Sequence, residues 1–287
     1  MIVTVVASGG IPVTEIDMSG GAPSGLPMIV SSSPTATPIT IVASGGIPAT
    51  LVNVDGSPYL GSSLLAWWRT DRPDLITHVS GAVSSWKDTV AAYDAAQSGA
   101  GKPTYSAASF NGFPGITFDG TDDELTLASQ PFPSGANAAE IWAVVSQSAL
   151  AADTTTRQLF GYGGTSNATR RAVVRRVSGG VNRFGADIGD NFVAQPINDA
   201  AVDFSGRHVL RVAVGATSTS VAINSGTPTS GSAVPATGTT RARIGASTAN
   251  TPANFWNGIV RDIIVTGPLS ANQAYRLGRW LQMRRAA

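Results

Sequence analysis

The chain of 287 residues contains no cysteine, only two histidines and few charged side chains. The lack of cysteine excludes a disulfide framework, a thiolate nucleophile and a cysteine-ligated metal, and two histidines are too few for a multi-histidine zinc site. Charged residues make up 13 % of the chain, about half the usual share, and the net charge is +1. Nothing in this charge balance favours nucleic-acid binding through counterion release, so no nucleic-acid partner is predicted.

Long apolar runs are also absent. No run approaches the roughly 18 residues that are needed to span a bilayer, so no membrane insertion is predicted. The apolar start at 1–6 lacks a basic region before it, and Gly9 and Gly10 interrupt it well before signal-peptide length. Apolar residues nevertheless make up 43 % of the chain, with 32 glycines and 17 prolines. The composition therefore predicts a folded, turn-rich protein.

The first fifty residues contain a repeat. Residues 3–14 read VTVVASGGIPVT, residues 39–50 read ITIVASGGIPAT, and a weaker copy occupies 25–30. Each copy has a short β-type run, a glycine break and a proline-led extended run. Two or three such strands are marginal in isolation. We therefore predict that residues 1–56 form an extended β-rich arm for attachment and oligomerisation, ordered by a partner; the alternative is a flexible tail.

From about Leu60 the chain changes to many short β-type runs that are separated by turns, with no long amphipathic helix between them. This pattern favours an all-β, antiparallel two-sheet jelly-roll sandwich over residues 57–287. Two runs, 209–214 and 219–224, are spaced as a hairpin, and a further turn signal follows at 224–226. The candidate strands are 116–118, 124–127, 141–146, 158–161, 172–177, 182–188, 209–214, 220–224, 243–245 and 259–265.

One helix is predicted at the end of the chain. Ser270 can cap it, with Gln273 completing a capping box, and Ala274, Leu277 and Leu281 form one apolar stripe. Four arginines lie toward its C-terminal end, where cations complement the helix dipole: Arg276, Arg279, Arg284 and Arg285.

Two passages carry a resemblance to a known family. One comprises VSSWKD at 83–88 and GFPGITFDGTDDEL at 112–125, and the other is FWNGIVRDIIV at 255–265, followed by Pro268, Leu269 and Ser270. In this order and spacing they resemble the concanavalin A-like (laminin-G-like) lectin and glucanase superfamily. The resemblance covers residues 60–287 and implies a two-sheet jelly roll.

The repeat in the arm is similar to repeats that precede fibre or spike domains in tailed-phage and gene-transfer-agent virion proteins. Together the two resemblances imply a homo-oligomeric head-spike or tail-fibre subunit, assembled in the bacterial cytoplasm and located on the virion surface. Residues 1–56 would bind capsid or tail proteins, and the C-terminal domain would bind host surface polysaccharide. The alternatives are a purely structural decoration or spike protein, and a secreted polysaccharide-binding or polysaccharide-degrading module.

Sugar recognition combines an aromatic face with polar side chains that bind hydroxyl groups. The loop-adjacent candidates are Tyr105, Tyr162, Trp256 and Asn257, although each aromatic ring has the alternative of a place in the core. The remaining tryptophans that lie in apolar or motif contexts are predicted to be core residues: Trp67, Trp68, Trp86 and Trp142.

An acidic cluster follows the predicted strand 116–118. Asp119 and the glycine after it form a strong turn signal, and Asp119, Asp122 and Asp123, beside Glu124, are candidate ligands for a calcium ion. The alternative is that the Asp side chains only cap the turn. No other cofactor is predicted.

Catalytic motifs are missing. The glucanase branch of the superfamily places its carboxyl groups in a Glu-x-Asp-x-Glu motif on one strand, whereas this sequence has only Glu15, Glu124 and Glu140, widely dispersed. There is also no G-x-S-x-G nucleophile elbow. The sequence therefore predicts a protein that is not an enzyme.

Overall fold

A computed structural model describes residues 2–3, 16–17, 57–132, 138–147, 155–164, 170–178, 181–188, 191–196, 206–215, 218–231 and 241–286. The backbone divides into two compact units. One comprises Met1–Gly61 and Ala271–Trp280, and the other comprises Ser62–Ser270 and Leu281–Ala287. The predicted division into an arm of residues 1–56 and a domain of residues 57–287 stays a prediction.

The first unit contains a short β pair and the start of a helix. Strands β1 (Ile2–Val3) and β2 (Ile16–Asp17) are antiparallel. Helix α1 (Ala271–Ala286) begins in this unit, where Gln273 Nε2 donates a hydrogen bond to the carbonyl of Leu60 at 3.4 Å. The repeats at 4–14, 25–30 and 39–50 lie outside the described residues, so the arm stays a prediction.

The described residues of the second unit contain seventeen short strands. In chain order they are β3 (Leu64–Arg69), β4 (Ile76–Val79), β5 (Ala82–Trp86), β6 (Ala95–Ala96), β7 (Thr104–Phe110), β8 (Phe113–Asp119), β9 (Leu125–Leu127), β10 (Ala139–Gln147), β11 (Arg157–Gly163), β12 (Arg170–Ser178), β13 (Val181–Ile188), β14 (Asn191–Pro196), β15 (Arg207–Val214), β16 (Thr219–Ile223), β17 (Thr229–Gly231), β18 (Arg241–Ile244) and β19 (Asn257–Thr266). Every strand pair among the described residues is antiparallel.

The strands form two layers. The first sheet has the order β17-β16-β15-β10-β19, and β19 then pairs with β8 through its first half and with β3 through its second half; β7 continues beyond β8. The second sheet has the order β4-β5-β6-β9-β18-β11-β12-β13-β14. A single pair, Ala82 opposite Thr104, joins β5 to β7 and links the two sheets along one side.

The core lies between these two sheets. Side chains of both layers are fully buried in it, among them Ile116, Phe118 and Ile263 of the first sheet and Phe160 of the second. Strands whose inward side chains interdigitate in this way are typical of a sandwich. All four tryptophans that were predicted to be core residues are buried, but only Trp68 and Trp86 belong to the cluster between the sheets. Trp67 and Trp142 lie on the opposite side of their strands, where they donate to Asp262 and Glu140.

The predicted fold class is confirmed as an all-β antiparallel sandwich with one C-terminal helix among the described residues. Each of the ten candidate strands overlaps an observed strand, and β15 and β16 form the predicted hairpin. The apolar stripe of the helix is buried at Ala274, Leu277 and Leu281. Within the described part of the chain, no helix has both the length and the apolarity that a membrane crossing requires.

A buried ion network holds the last turn of the helix to the sandwich. The Arg284 guanidinium donates to Asp262 at 2.7 Å and to Asp71 at 2.8 Å. Asp262 is fully buried and also accepts the indole N–H of Trp67, while Asp71 accepts from Arg69 at 2.7 Å. Burial alone would raise the pKa of Asp71, but the hydrogen bond from Arg69 and the charge of Arg284 outweigh it and lower the pKa. We call Arg69, Asp71, Asp262 and Arg284 the C-terminal clasp; Arg284 thus does more than complement the helix dipole.

Candidate functional site

The acidic turn, residues 119–124, connects β8 of the first sheet to β9 of the second sheet. Side chains of the turn cap its own backbone. Asp119 Oδ1 accepts the backbone N–H of Thr121 at 2.7 Å, and Asp123 Oδ2 accepts the N–H of Asp119 at 2.8 Å. Gly120 has a φ of +80°, a conformation that favours glycine. The predicted turn is therefore present, and it lies at one end of the sandwich.

Strand register brings Asn257 to this turn. Asn257, the first residue of β19, is directly opposite Asp119 on β8. A Cβ on Gly120 would lie 2.8 Å from Asn257 Cβ and 2.9 Å from Arg157 Nη1. Only a glycine at this position lets both side chains pack against the turn.

Arg157 ties the turn to the loop that precedes β19. Its Nη1 donates to the carbonyl oxygen of Gly120 at 2.6 Å and to that of Phe255 at 3.0 Å. In this extended segment Trp256 is buried, whereas Phe255 and Asn257 are partly exposed. Because successive side chains of extended backbone point to opposite sides, Phe255 and Asn257 share the outward side.

We call Asp119, Asp122, Arg157, Phe255 and Asn257 the rim. Asp119 and Asp122 are exposed, and the other three are partly exposed. The rim thus combines an aromatic ring, an amide, a guanidinium and two carboxylates beside the paired strands β8 and β19.

A buried carboxyl group lies beneath the rim. Burial raises the pKa of Asp123 to about 6; the N–H of Asp119 opposes this, and the charges of Asp119 and Asp122 add to it. Burial also raises the pKa of Glu124, although the charge of Arg243, whose Nε lies 3.2 Å from Glu124 Oε2, opposes this.

Replacing Asp123 with asparagine is expected to remove a pH dependence of stability. The raised pKa means that Asp123 binds a proton more tightly in the folded state than in the unfolded state. The stabilisation that this protonated group contributes is fully present below about pH 4 and is lost as the pH rises through about 6. Asp123→Asn retains the acceptor for the Asp119 N–H without the charge. The difference in free energy of unfolding, Asp123→Asn minus wild type, should be about 1–3 kcal/mol larger at pH 7 than at pH 3.5. Urea unfolding at both pH values measures this, and an unchanged difference would contradict the burial argument.

The structure brings the three predicted calcium ligands together. One carboxylate oxygen each from Asp119, Asp122 and Asp123 lies within 4.8 Å of the others. Oxygens of Asp119 and Asp123 accept backbone N–H groups of the turn, as the capping alternative requires. Calcium binding stays a prediction.

The predicted sugar-binding aromatics occupy different places. Trp256 and Tyr162 have no exposed surface, because Trp256 packs toward Phe184 in the core and the Tyr162 ring stacks on Phe132 at 3.4 Å between centroids. Neither ring has a free face for a sugar, which corrects the prediction for both. The two rings face inward because large aromatic side chains fill the space between the sheets.

Tyr105 is on the surface but is not part of the rim. It is partly exposed, and its ring lies against the exposed imidazole of His78 with 5.0 Å between centroids. Of the four predicted sugar-binding residues, only Asn257 lies beside the acidic turn. Sequence reasoning missed Phe255 and Arg157; alternation with Trp256 is a signal for Phe255, but nothing local marks Arg157.

No family model matches the chain, and no curated protein matches it. Solved structures match it. The chain is similar to Trypanosoma rangeli sialidase in complex with sialic acid, with a TM-score of 0.54 and 12 % identity over 78 % of this chain and 34 % of the sialidase. A GH54 α-L-arabinofuranosidase soaked with a cyclic sulfate inhibitor gives 0.53 and 14 % over 79 % of this chain and 61 % of that one.

A third similar structure matches in size. It is domain 4 of AbnA, a GH43 extracellular arabinanase from Geobacillus stearothermophilus, in complex with arabinotriose; the TM-score is 0.52 and the identity 14 %, over 75 % of this chain and 98 % of the domain. The chain therefore spans nearly all of that domain, but only about a third of the sialidase. At these identities the likeness shows a shared fold.

These comparisons overturn one prediction. The sequence predicted that the chain is not an enzyme, but structures with its fold include a sialidase and an arabinofuranosidase. The prediction is wrong, because the absence of one Glu-x-Asp-x-Glu motif does not exclude glycoside hydrolysis when carboxyl groups from other positions converge.

Proposed function

We propose that the chain is a polysaccharide-binding module with a concanavalin A-like sandwich, and that the rim contacts the glycan. The observation that carries the proposal is that Phe255 and Asn257 are both partly exposed and that Asn257 is directly opposite Asp119 on β8. The similarity to a sandwich domain that was solved with arabinotriose supports it.

Each group of the rim has a place in sugar recognition. The partly exposed Phe255 ring offers an apolar surface to the C–H face of a pyranose or furanose ring. The Asn257 amide can donate to and accept from hydroxyl groups. The carboxylates of Asp119 and Asp122 accept hydroxyl protons in charge-assisted hydrogen bonds, which are the stronger kind.

Removal of either outward side chain tests the proposal. In affinity electrophoresis against arabinan, xylan, laminarin, alginate and polygalacturonate, Phe255→Ala and Asn257→Ala should each weaken retention by at least about tenfold, which corresponds to about 1.4 kcal/mol. Tyr275→Ala is the matched control, because Tyr275 is an exposed aromatic residue outside the rim. Equal retention of all four proteins, or no retention of the wild type by any polymer, would refute glycan binding at the rim.

The carboxyl groups favour glycoside hydrolysis as a second function. The Asp123 carboxyl, with its pKa raised to about 6, lies with an oxygen within 4.8 Å of oxygens of Asp119 and Asp122. Glycoside hydrolysis uses two carboxyl groups that flank the scissile bond, one of them a general acid with a raised pKa. Release of reducing sugar from the same polymers, abolished in both Asp122→Asn and Asp123→Asn, would establish hydrolysis; release that persists in both variants would exclude these residues.

The attachment role of residues 1–56 is a separate proposal. Binding to capsid or tail proteins, homo-oligomerisation and a place on a virion rest on the repeat alone. The comparisons favour the alternative of a polysaccharide-binding or polysaccharide-degrading module, which we therefore place ahead of the virion appendage.

A further inference from the structure

We propose that the rim selects uncharged polysaccharides and excludes polymers that carry carboxylate or sulfate groups. This inference rests on the proposed function of the rim, and it concerns the class of ligand. The feature that carries it is the direction in which the charged groups face.

The negative groups of the site face outward. Asp119 and Asp122 are exposed, and the intervening Thr121 is exposed with them. The N–H of Asp122 lies 3.4 Å from Asp119 Oδ1, so both carboxylates belong to one compact turn. A ligand that approaches Phe255 and Asn257 therefore meets two carboxylates at the surface.

Among the described residues, the two arginines at this site use hydrogen-bond donors within the protein. Arg157 Nη1 is shared between two backbone carbonyls, those of Gly120 and Phe255. Arg243 is 8 % exposed; its Nη1 donates to the carbonyls of Ser247 and Ala249, and its Nε lies 3.2 Å from Glu124. These donor atoms thus stabilise the loops and are not available to a ligand, although each guanidinium keeps its positive charge.

Among the described side chains of the rim, the two exposed carboxylates of Asp119 and Asp122 outnumber the one partly exposed guanidinium of Arg157, so the net charge of the rim is negative. Hydroxyl groups of a neutral glycan can donate to the carboxylates. A uronate, sialate or sulfate group would instead place a like charge near Asp119 or Asp122, and like charges in contact disfavour a partner. Such repulsion between exposed charges is screened by salt.

Titration of one protein with neutral and acidic polymers tests this selection. The probes are arabinan, xylan and laminarin as neutral polymers and polygalacturonate and alginate as acidic polymers, with hydroxyethyl cellulose and carboxymethyl cellulose as a pair that differs in charge. At about 0.05 M salt the wild type should bind at least one neutral polymer at least about tenfold more tightly than any acidic one. The double variant Asp119→Asn/Asp122→Asn keeps the acceptors of the turn and should bind the acidic polymers more tightly. Asp74→Asn, which removes an exposed carboxylate outside the rim, is the control and should change nothing.

The outcomes separate this inference from the proposed function. If an acidic polymer binds as tightly as the neutral ones and Phe255→Ala weakens its binding, the rim binds glycans but the charge selection is refuted. If the double variant gains no affinity for acidic polymers, the selection is also refuted. If no polymer binds the wild type, the proposed function itself fails.

Discussion

Replacing Arg284 with methionine is expected to lower the free energy of unfolding by about 3–5 kcal/mol, because it leaves the buried carboxylate of Asp262 without its cation. The Arg284 side chain is 11 % exposed and that of Asp262 is 0 % exposed, with 2.7 Å between Nε and Oδ2. Methionine keeps the apolar stem of the side chain, so the loss in free energy of unfolding is due to the missing charge rather than to a cavity. Urea unfolding at neutral pH measures the difference.

The chain offers a matched control for this substitution. Arg72 and Asp74 form an ion pair with the same 2.7 Å separation, but their side chains are 41 % and 57 % exposed. Arg72→Met should therefore cost less than about 1 kcal/mol. If Arg284→Met does not fold, Arg284→Lys retains a charge and should give a smaller, measurable loss. Equal losses at the buried and the exposed pair would contradict the assignment of the clasp as a buried network.

Gly101→Ala is expected to displace the acidic turn. A Cβ at this position would lie 2.2 Å from the carbonyl oxygen of Asp122, and the Gly101 carbonyl accepts the N–H of Glu124. Since both neighbours are backbone atoms, the turn itself has to move. We expect a loss of about 2–3 kcal/mol in stability and, if the rim binds glycans, a loss of at least about tenfold in affinity.

Gly267→Ala is the control for this change, because Gly267 lies outside the acidic turn. Its Cβ would meet only the carbonyl oxygen of Ser63, at 3.9 Å, which is an ordinary van der Waals contact. The variant should keep wild-type stability within about 0.5 kcal/mol. Unchanged amide chemical shifts of residues 119–124 in Gly101→Ala would contradict the close approach.

Local sequence patterns predicted the parts of the fold that depend on neighbouring residues. The hairpin of β15 and β16 was predictable because two apolar runs, 209–214 and 219–224, are separated by only the short connection 215–218. Strand β7 was missed because its residues are mostly small or polar and exposed, so it shows no apolar alternation. Strand β4 was missed for a similar reason, since three of its four residues are exposed.

The candidate site likewise has one part that the sequence predicted and another that it did not. The acidic turn was predictable because its residues are contiguous. Arg157 was not, because its acceptors at Gly120 and Phe255 are 37 and 98 residues away in the chain. The inward side of the 255–257 segment was also undecided from sequence, because a shift of one residue in an extended chain exchanges the two faces. This exchange explains why Trp256 was predicted at the surface and Phe255 was not considered.

Strand β19 begins at Asn257 and runs past the clasp at Asp262. Eight of its residues are paired with β10. Tension applied by a tethered polymer at Asn257 would be directed along this strand, in shear against β10, so many hydrogen bonds would have to break together rather than one after another. A load applied in this direction would therefore meet more resistance than one that separates the same pairs in sequence.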